Sequence, residues 1–155
     1  MDLKTLSDRM EIIDVHIRHG RSLDTKDWSL IRTVFTEDAY GDFWVGGQHH
    51  GIEAIIHASR STMENLDATQ HLLSNHEVNV TGNTATARVD LLAGHFLRTD
   101  GGDSHCSVHG YYSDELVRTD EGWRISRREL TVTWSEGNVG IFQAGTAARL
   151  RESPS

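Results

Sequence analysis

The clearest structural signal in the chain lies in residues 84–98, which read TATARVDLLAGHFLR. From Ala85 to Leu97 every second residue is apolar apart from His95. This alternation is typical of a β-strand with one covered face. We therefore predict a long strand whose apolar row, including His95, faces helices or an internal cavity.

Neighbouring segments have the same character, and they span residues 69–80, 105–118 and 123–134. Turn-forming residues separate the segments, at 81–83, 100–103 and 119–122. This order predicts a meander of antiparallel hairpins. Strands of a dozen residues exceed the common length, so we expect the sheet to twist and curl strongly.

Irregular points are also predicted within these strands. In the last strand the apolar parity changes between Trp123 and Leu130, which predicts an extra residue near residues 127–128. Gly94 and Gly110 fall inside strands, where glycine is typical of bends or bulges.

The first third of the chain has helical spacing, with apolar residues at Leu3, Leu6, Met10, Ile13 and Ile17. Steps of three and four predict a helix that buries this face and ends near Gly20. A shorter helix is predicted from Thr25 or Lys26, then a strand over residues 39–45 and a third helix over residues 52–66. The predicted fold class is α+β, with helices packed on a strongly curved antiparallel sheet.

Composition limits the classes of partner. The chain has 155 residues and a net charge of −8, which disfavours nucleic acid or an anionic membrane as partner and leaves a small molecule or a protein. No apolar run is long enough for a membrane span, and one cysteine provides no internal disulfide, so we expect a cytoplasmic protein. We predict one domain over residues 1–140 and a tail over residues 141–155 that covers a pocket or frays.

Ten histidines raise the question of a metal site. His105 and His109 lie on a predicted strand, where four residues span about 13 Å, so the pair is too far apart to share one ion. His16 and His19 approach each other on a helix, but no carboxylate or cysteine completes a ligand set. No glycine-rich phosphate-binding motif is present. We therefore expect neither a metal nor a cofactor.

The remaining candidate chemistry is an acid–base pair. Asp24 follows the first helix, and His71 lies near the start of a strand. Neither residue is specific alone, because a strand histidine is more often structural and an aspartate near a helix start is usually a cap.

The order of elements adds to these residues. Asp24 lies in RSLDTKDW, residues 21–28, and His71 in TQH, residues 69–71. Two late segments, GYYSDEL at 110–116 and GWRISRR at 122–128, complete the pattern. From about Leu6 to Trp134 the chain resembles the SnoaL-like branch of the nuclear-transport-factor-2-like superfamily. The resemblance implies a cone-like barrel with an internal pocket.

The resemblance also implies roles for individual residues. In dehydratase and dehydrochlorinase members, the histidine at the position of His71 is the base, and the aspartate at the position of Asp24 orients it. A polar side chain on the first helix and an arginine on the last strand correspond to His19 and Arg128, with Arg127 as the alternative for the arginine. The dehydrochlorinase has a lysine where this chain has His19, so its chlorinated substrate is not implied.

The function implied by this likeness is a cofactor-free lyase that acts on an apolar, cyclic small molecule. Such a site has catalytic Asp24, His71 and Arg128, and we expect the substrate to be bound by His19, Phe43, His109 and Trp134. The superfamily also includes polyketide cyclases, isomerases and non-catalytic binding proteins, and these stay open as alternatives. Members often form dimers or trimers, so a homo-oligomer is expected.

Overall fold

The structure is a computed structural model that describes residues 1–44 and 47–142. Its helices are α1 (Leu3–Asp24), a 3-10 helix (Trp28–Thr33) and α2 (Ile52–Met63). Its strands are β1 (Phe35–Phe43), β2 (Gly47–His50), β3 (Ala68–Thr81), β4 (Thr84–Leu97), β5 (Ser104–Thr119) and β6 (Gly122–Gly137). The predicted α+β class is confirmed, and the long strands lie within a few residues of their predicted bounds.

The strands form one six-stranded sheet in the order β2-β1-β6-β5-β4-β3. The meander from β3 to β6 is antiparallel, as predicted. Strand β1 differs, because it runs parallel to β6 and makes the sheet mixed. These two strands are separated by the entire meander, so no turn between them indicates their relative direction. The short strand β2 was not predicted.

The irregular points match the predictions in part. Glu115 pairs with Arg127 while Leu116 pairs with Ile125, so Ser126 is the extra residue of a bulge. A second shift in the pairing of β5 with β6 follows His109, at Gly110. Of the bend or bulge expected at Gly94, the bulge is absent, because this residue pairs without interruption on both sides.

The predicted buried face of α1 is wrong. Leu3, Leu6, Met10 and Ile17 are between 48% and 84% exposed. The buried side chains are instead Asp8, Ile12, Val15, His16, His19, Ser22 and Leu23. Asp8, His16 and His19 have partners on the distant strands β5 and β6 that offset the cost of burying them. The helix is also four residues longer than predicted, so Asp24 is its last residue rather than part of the following loop.

The chain after β6 returns to the sheet. Ile141 and Phe142 are buried against a cluster of core residues that includes Val89 and Val108. The rest of the predicted tail, residues 143–155, lies outside the described residues. No helix in the described ranges is both long and apolar enough to cross a membrane.

Candidate functional site

Asp24 and His71 meet at the end of α1. The carboxylate oxygen Oδ1 of Asp24 lies 2.6 Å from Nδ1 of His71, and Oδ1 also accepts from the hydroxyl of Thr69 at 3.0 Å. The backbone N–H of His71 donates to both oxygens, at 3.1 and 2.9 Å. These contacts fix the carboxylate against the start of β3.

A close approach of helix and strand makes this contact possible. A Cβ atom at Gly20 would lie 2.8 Å from a methyl group of Leu73 and 3.5 Å from the carbonyl oxygen of His71. The glycine therefore lets the last turn of α1 lie directly on β3, which brings Asp24 within reach of the imidazole.

The charge of Asp24 determines which ring nitrogen of His71 carries the proton. Burial acts to raise the pKa of Asp24, but the hydrogen bonds from His71 and Thr69 outweigh it and hold this pKa below its ordinary value. An ionised carboxylate only accepts, so Nδ1 of His71 is the donor in this contact. When the ring is neutral, its other nitrogen, Nε2, has a free lone pair. Nε2 has no hydrogen bond to any residue that the structure describes.

His71 lines a cavity between the helices and the inner face of the sheet. Apolar side chains make up most of the wall, among them Leu23, Phe43, Leu91, Val108, Leu130 and Phe142. The space between the lining atoms is ≈ 610 Å³, part of it open to solvent. Asp24 is not in the lining and lies behind His71.

His95 and Tyr112 line the same cavity, and neither was among the predicted site residues. Nδ1 of His95 donates to the carbonyl of Cys106 at 2.9 Å, and burial lowers the pKa of His95 to about 4. The ring is therefore neutral, and its Nε2 is an acceptor. Burial raises the pKa of Tyr112 to about 12, so its phenol keeps the proton. The inward parity of His95 in β4 was a usable signal, whereas nothing in the sequence distinguished Tyr112.

Arg128 lies behind His19. The Arg128 side chain is fully buried, and its guanidinium donates to Asp114 and to Nδ1 of His19. Arg128 does not line the cavity, whereas His19 does. Arg127, the alternative, is 42% exposed and pairs with Glu129. The bulge at Ser126 thus turns Arg128 inward, but the expected direct contact of Arg128 with a bound molecule is not supported.

The expected substrate-binding residues divide into two groups. His19 and Phe43 line the cavity. His109 and Trp134 do not, and instead stack on each other with ring centroids 3.5 Å apart. Val108 faces the cavity, so the next residue, His109, points to the opposite face of the sheet. The structure therefore places His109 and Trp134 outside the cavity, contrary to the expectation that they bind the substrate. Among the described residues, no group of three or more potential ligands could hold a metal ion.

The sequence profile of the SnoaL-like domain family matches residues 4–129. The chain belongs to this family. Several relatives share more than 30% identity with this SnoaL-like protein. The uncharacterized protein Rv2910c of Mycobacterium tuberculosis is 31% identical over 133 residues, or 84% of this chain and 89% of that protein. Terrestric acid biosynthesis cluster protein E of Penicillium crustosum is 32% identical over 143 residues, or 88% of this chain and 90% of that protein.

Solved structures share the fold of this SnoaL-like protein. The Kfla4162 protein from Kribbella flavida has a TM-score of 0.83 at 28% identity, covering 90% of this chain and 99% of that one. A hexachlorocyclohexane dehydrochlorinase of type 2 has a TM-score of 0.79 at 19% identity, covering 90% and 95%. At that identity the likeness shows the fold alone. A nuclear transport factor 2-like superfamily protein from Salmonella enterica also shares this fold, with a TM-score of 0.74 at 22% identity, covering 88% of this chain and 97% of that one.

Proposed function

We propose that this protein is a cofactor-free lyase that catalyses a dehydratase-type elimination from an apolar, cyclic small molecule. One observation carries the proposal: Asp24 holds Nδ1 of His71 as its donor nitrogen and leaves Nε2 as a base at a largely apolar cavity. A carboxylate in this position orients the imidazole and stabilises the imidazolium that forms when the ring takes a proton.

The first step is removal of a proton from carbon. Nε2 of His71 takes a proton from the carbon next to a carbonyl group, and the electron pair of the C–H bond moves to the carbonyl oxygen. Donors in the wall stabilise this oxyanion, and the protonated phenol of Tyr112 is one of them.

The second step expels the leaving group. The electron pair returns from the oxygen, a carbon–carbon double bond forms, and the bond from the neighbouring carbon to its hydroxyl group breaks. The hydroxide takes the proton from Nε2 of His71 and leaves as water, which restores the neutral base. The substrate is then a β-hydroxy ketone, and the products are an unsaturated ketone and water.

The apolar wall supports a substrate with few polar groups. The name of the Penicillium relative refers to a biosynthesis cluster, which supports a small organic molecule as the substrate class. A cyclase or an isomerase is the alternative, because each begins with the same proton removal. We further expect a homo-oligomer.

Deuterium exchange at carbon tests the proposed base without knowledge of the substrate. The probe is 2-tetralone in D₂O, followed by proton NMR. His71→Asn keeps an N–H close to the position of Nδ1, so it preserves the contact with Asp24 and removes only the base. We expect this variant to lose catalysed exchange by at least about 100-fold. His109→Asn, outside the cavity, is the matched control and should exchange at the wild-type rate.

Two results would contradict the proposal. Wild-type exchange that persists in His71→Asn would mean that another group removes the proton. Absence of exchange in the wild-type protein, with 2-tetralone bound, would favour a binding protein over an enzyme.

A further inference from the structure

A buried polar network runs from the surface of the domain to the cavity, and the proposed elimination uses none of it. Its members are His76, His16, Asp114, Arg128 and His19, joined by contacts of 2.6 to 3.0 Å. Four of the five side chains are at most 4% exposed. Burying so many polar groups without partners would cost several kcal/mol, so their pairing with one another indicates a defined arrangement.

Local structure brings the histidines to the network. His16 and His19 lie three residues apart on the buried face of α1, where side chains at this spacing are neighbours. His76 reaches His16 because of a bulge in β3, where Asn75 has a positive φ of 52° and the pairing with β4 shifts between Ser74 and Glu77. Bulges commonly redirect a side chain in this way.

The carboxylate of Asp114 is the centre of the network. Nε of Arg128 donates to one of its oxygens at 2.7 Å, and a terminal nitrogen donates to the other at 2.6 Å. His16 donates its Nε2 proton to the second oxygen at 3.0 Å. Burial acts to raise the pKa of Asp114, but the charge of Arg128 outweighs it, so this pKa lies below its ordinary value. The bidentate pair fixes the plane of the guanidinium.

The fixed guanidinium determines where His19 carries its proton. The remaining terminal nitrogen of Arg128 lies 2.8 Å from Nδ1 of His19. A guanidinium has donors and no acceptor, so Nδ1 of His19 must be the acceptor. The proton of the ring is therefore on Nε2. Burial, and next the charge of Arg128, hold the pKa of His19 well below its ordinary value, so the ring is neutral.

Nε2 of His19 is on the ring edge away from Arg128, and the ring lines the cavity together with His71 and Tyr112. Within the described ranges, this nitrogen has no hydrogen-bond partner. The cavity thus has a proton acceptor on His71, and on His19 a neutral N–H that no residue in these ranges uses.

We propose that His19 is a catalytic hydrogen-bond donor to the substrate oxyanion, and that Arg128 and Asp114 are positioning residues that fix its tautomer. The catalytic role of His19 rests on the proposed lyase function, whereas its tautomer does not. A neutral imidazole keeps its proton while it donates, so it stabilises an enolate oxygen without competing with His71 for the proton. The arrangement selects substrates with a carbonyl oxygen over those that lack one.

The tautomer of His19 is measured directly by ¹⁵N NMR of ring-labelled histidines at neutral pH, with the signal assigned by its loss in His19→Gln. We expect a proton on Nε2 and none on Nδ1. In the wild-type protein, a proton on Nδ1 of His19, or on both nitrogens, would overturn the proposal.

The donor role is measured with 4-nitrophenol, an aromatic oxyanion probe whose absorbance reports its ionisation. His19→Gln keeps an N–H near the position of Nε2, whereas His19→Leu removes it. We expect His19→Leu to bind the phenolate about 10- to 100-fold more weakly, and His19→Gln to stay within about threefold of wild type. Equal affinities for all three proteins would overturn the donor role.

Arg128→Lys tests the positioning role, because it keeps the charge but cannot hold both oxygens of Asp114 and reach His19 together. We expect a folded variant, checked by circular dichroism, with mixed His19 tautomers and weakened phenolate binding. His16→Gln keeps the pair of Arg128 with Asp114 and is the matched control. An unchanged tautomer in folded Arg128→Lys would overturn the positioning role. These measurements need no turnover, so failure of deuterium exchange would contradict the lyase alone.

Discussion

The buried neutral histidine in the cavity wall should make the free energy of unfolding depend on pH. Burial lowers the pKa of His95 from 6.5 to about 4 in the folded chain. As pH falls, the unfolded chain therefore binds this proton first, and stability is lost between about pH 6.5 and about pH 4. The difference of the two pKa values corresponds to a loss of about 3 kcal/mol at the acid end of this range.

His95→Asn isolates this contribution. An asparagine amide places an N–H near the position of Nδ1 and keeps the contact with the carbonyl of Cys106, but it does not titrate. The pKa values of His16 and His19 are also lowered by burial, so several groups contribute to the pH dependence of the unfolding free energy in the wild-type protein. In the variant, the slope of the unfolding free energy against pH should fall by the contribution of one proton, which is about 1.4 kcal/mol per pH unit at its steepest.

Urea unfolding followed by tryptophan fluorescence, at half-unit steps from pH 7.5 to pH 4.5, measures the slope. His57→Asn, the same substitution at an exposed histidine of α2, is the matched control. If His95→Asn and wild type lose stability in parallel on acidification, His95 is not held neutral by burial and the reasoning is refuted.

Two further predictions concern stability. Gly110→Ala should destabilise the domain by about 2 kcal/mol or more in urea unfolding, because its Cβ would lie 2.0 Å from a backbone oxygen of β6. Gly94→Ala, which meets no atom within 4 Å, is the control, and equal stability of the two variants would refute the steric reasoning. Asp8→Ala should cost about 2 kcal/mol in thermal unfolding, because this buried carboxylate pairs with Arg118 at 2.7 Å. Lys4→Ala should cost under about 0.5 kcal/mol, since Lys4 is 71% exposed, and a similar loss for both would contradict this assignment.

The long strands were predictable because their signals are local. Alternating apolar residues and turn residues lie within each hairpin, and even the bulge at Ser126 was visible as a change of parity. The direction of β1 was not predictable, because its partner β6 follows about eighty residues later and no local pattern connects them.

The buried face of α1 was mispredicted for a related reason. Helical periodicity predicted that the apolar face is buried, but the sheet instead covers the face that carries His16 and His19. Their partners, Asp114 and Arg128, are 98 and 109 residues away in the chain. Sequence alone does not predict that a histidine is buried, because its burial depends on a partner that is distant in the chain.

The site was predictable only to the extent that residue spacing and family likeness allowed. Asp24 and His71 were predicted as a pair, and they are in contact in the structure. The role of Arg128 was implied by the family likeness, and its position on the strand indicates the face on which it lies but not its depth. Only the three-dimensional arrangement shows that His19 lies between Arg128 and the cavity.

The proposed lyase function requires that Asp24 leaves His71 with a free lone pair at the cavity. The most direct test is the tautomer of His71, measured by ¹⁵N NMR of ring-labelled histidines above neutral pH in wild type and in Asp24→Asn. We predict a proton on Nδ1 and none on Nε2 in wild type, with this preference lost in Asp24→Asn. A proton on Nε2 of wild-type His71, or a tautomer indifferent to Asp24, would contradict it.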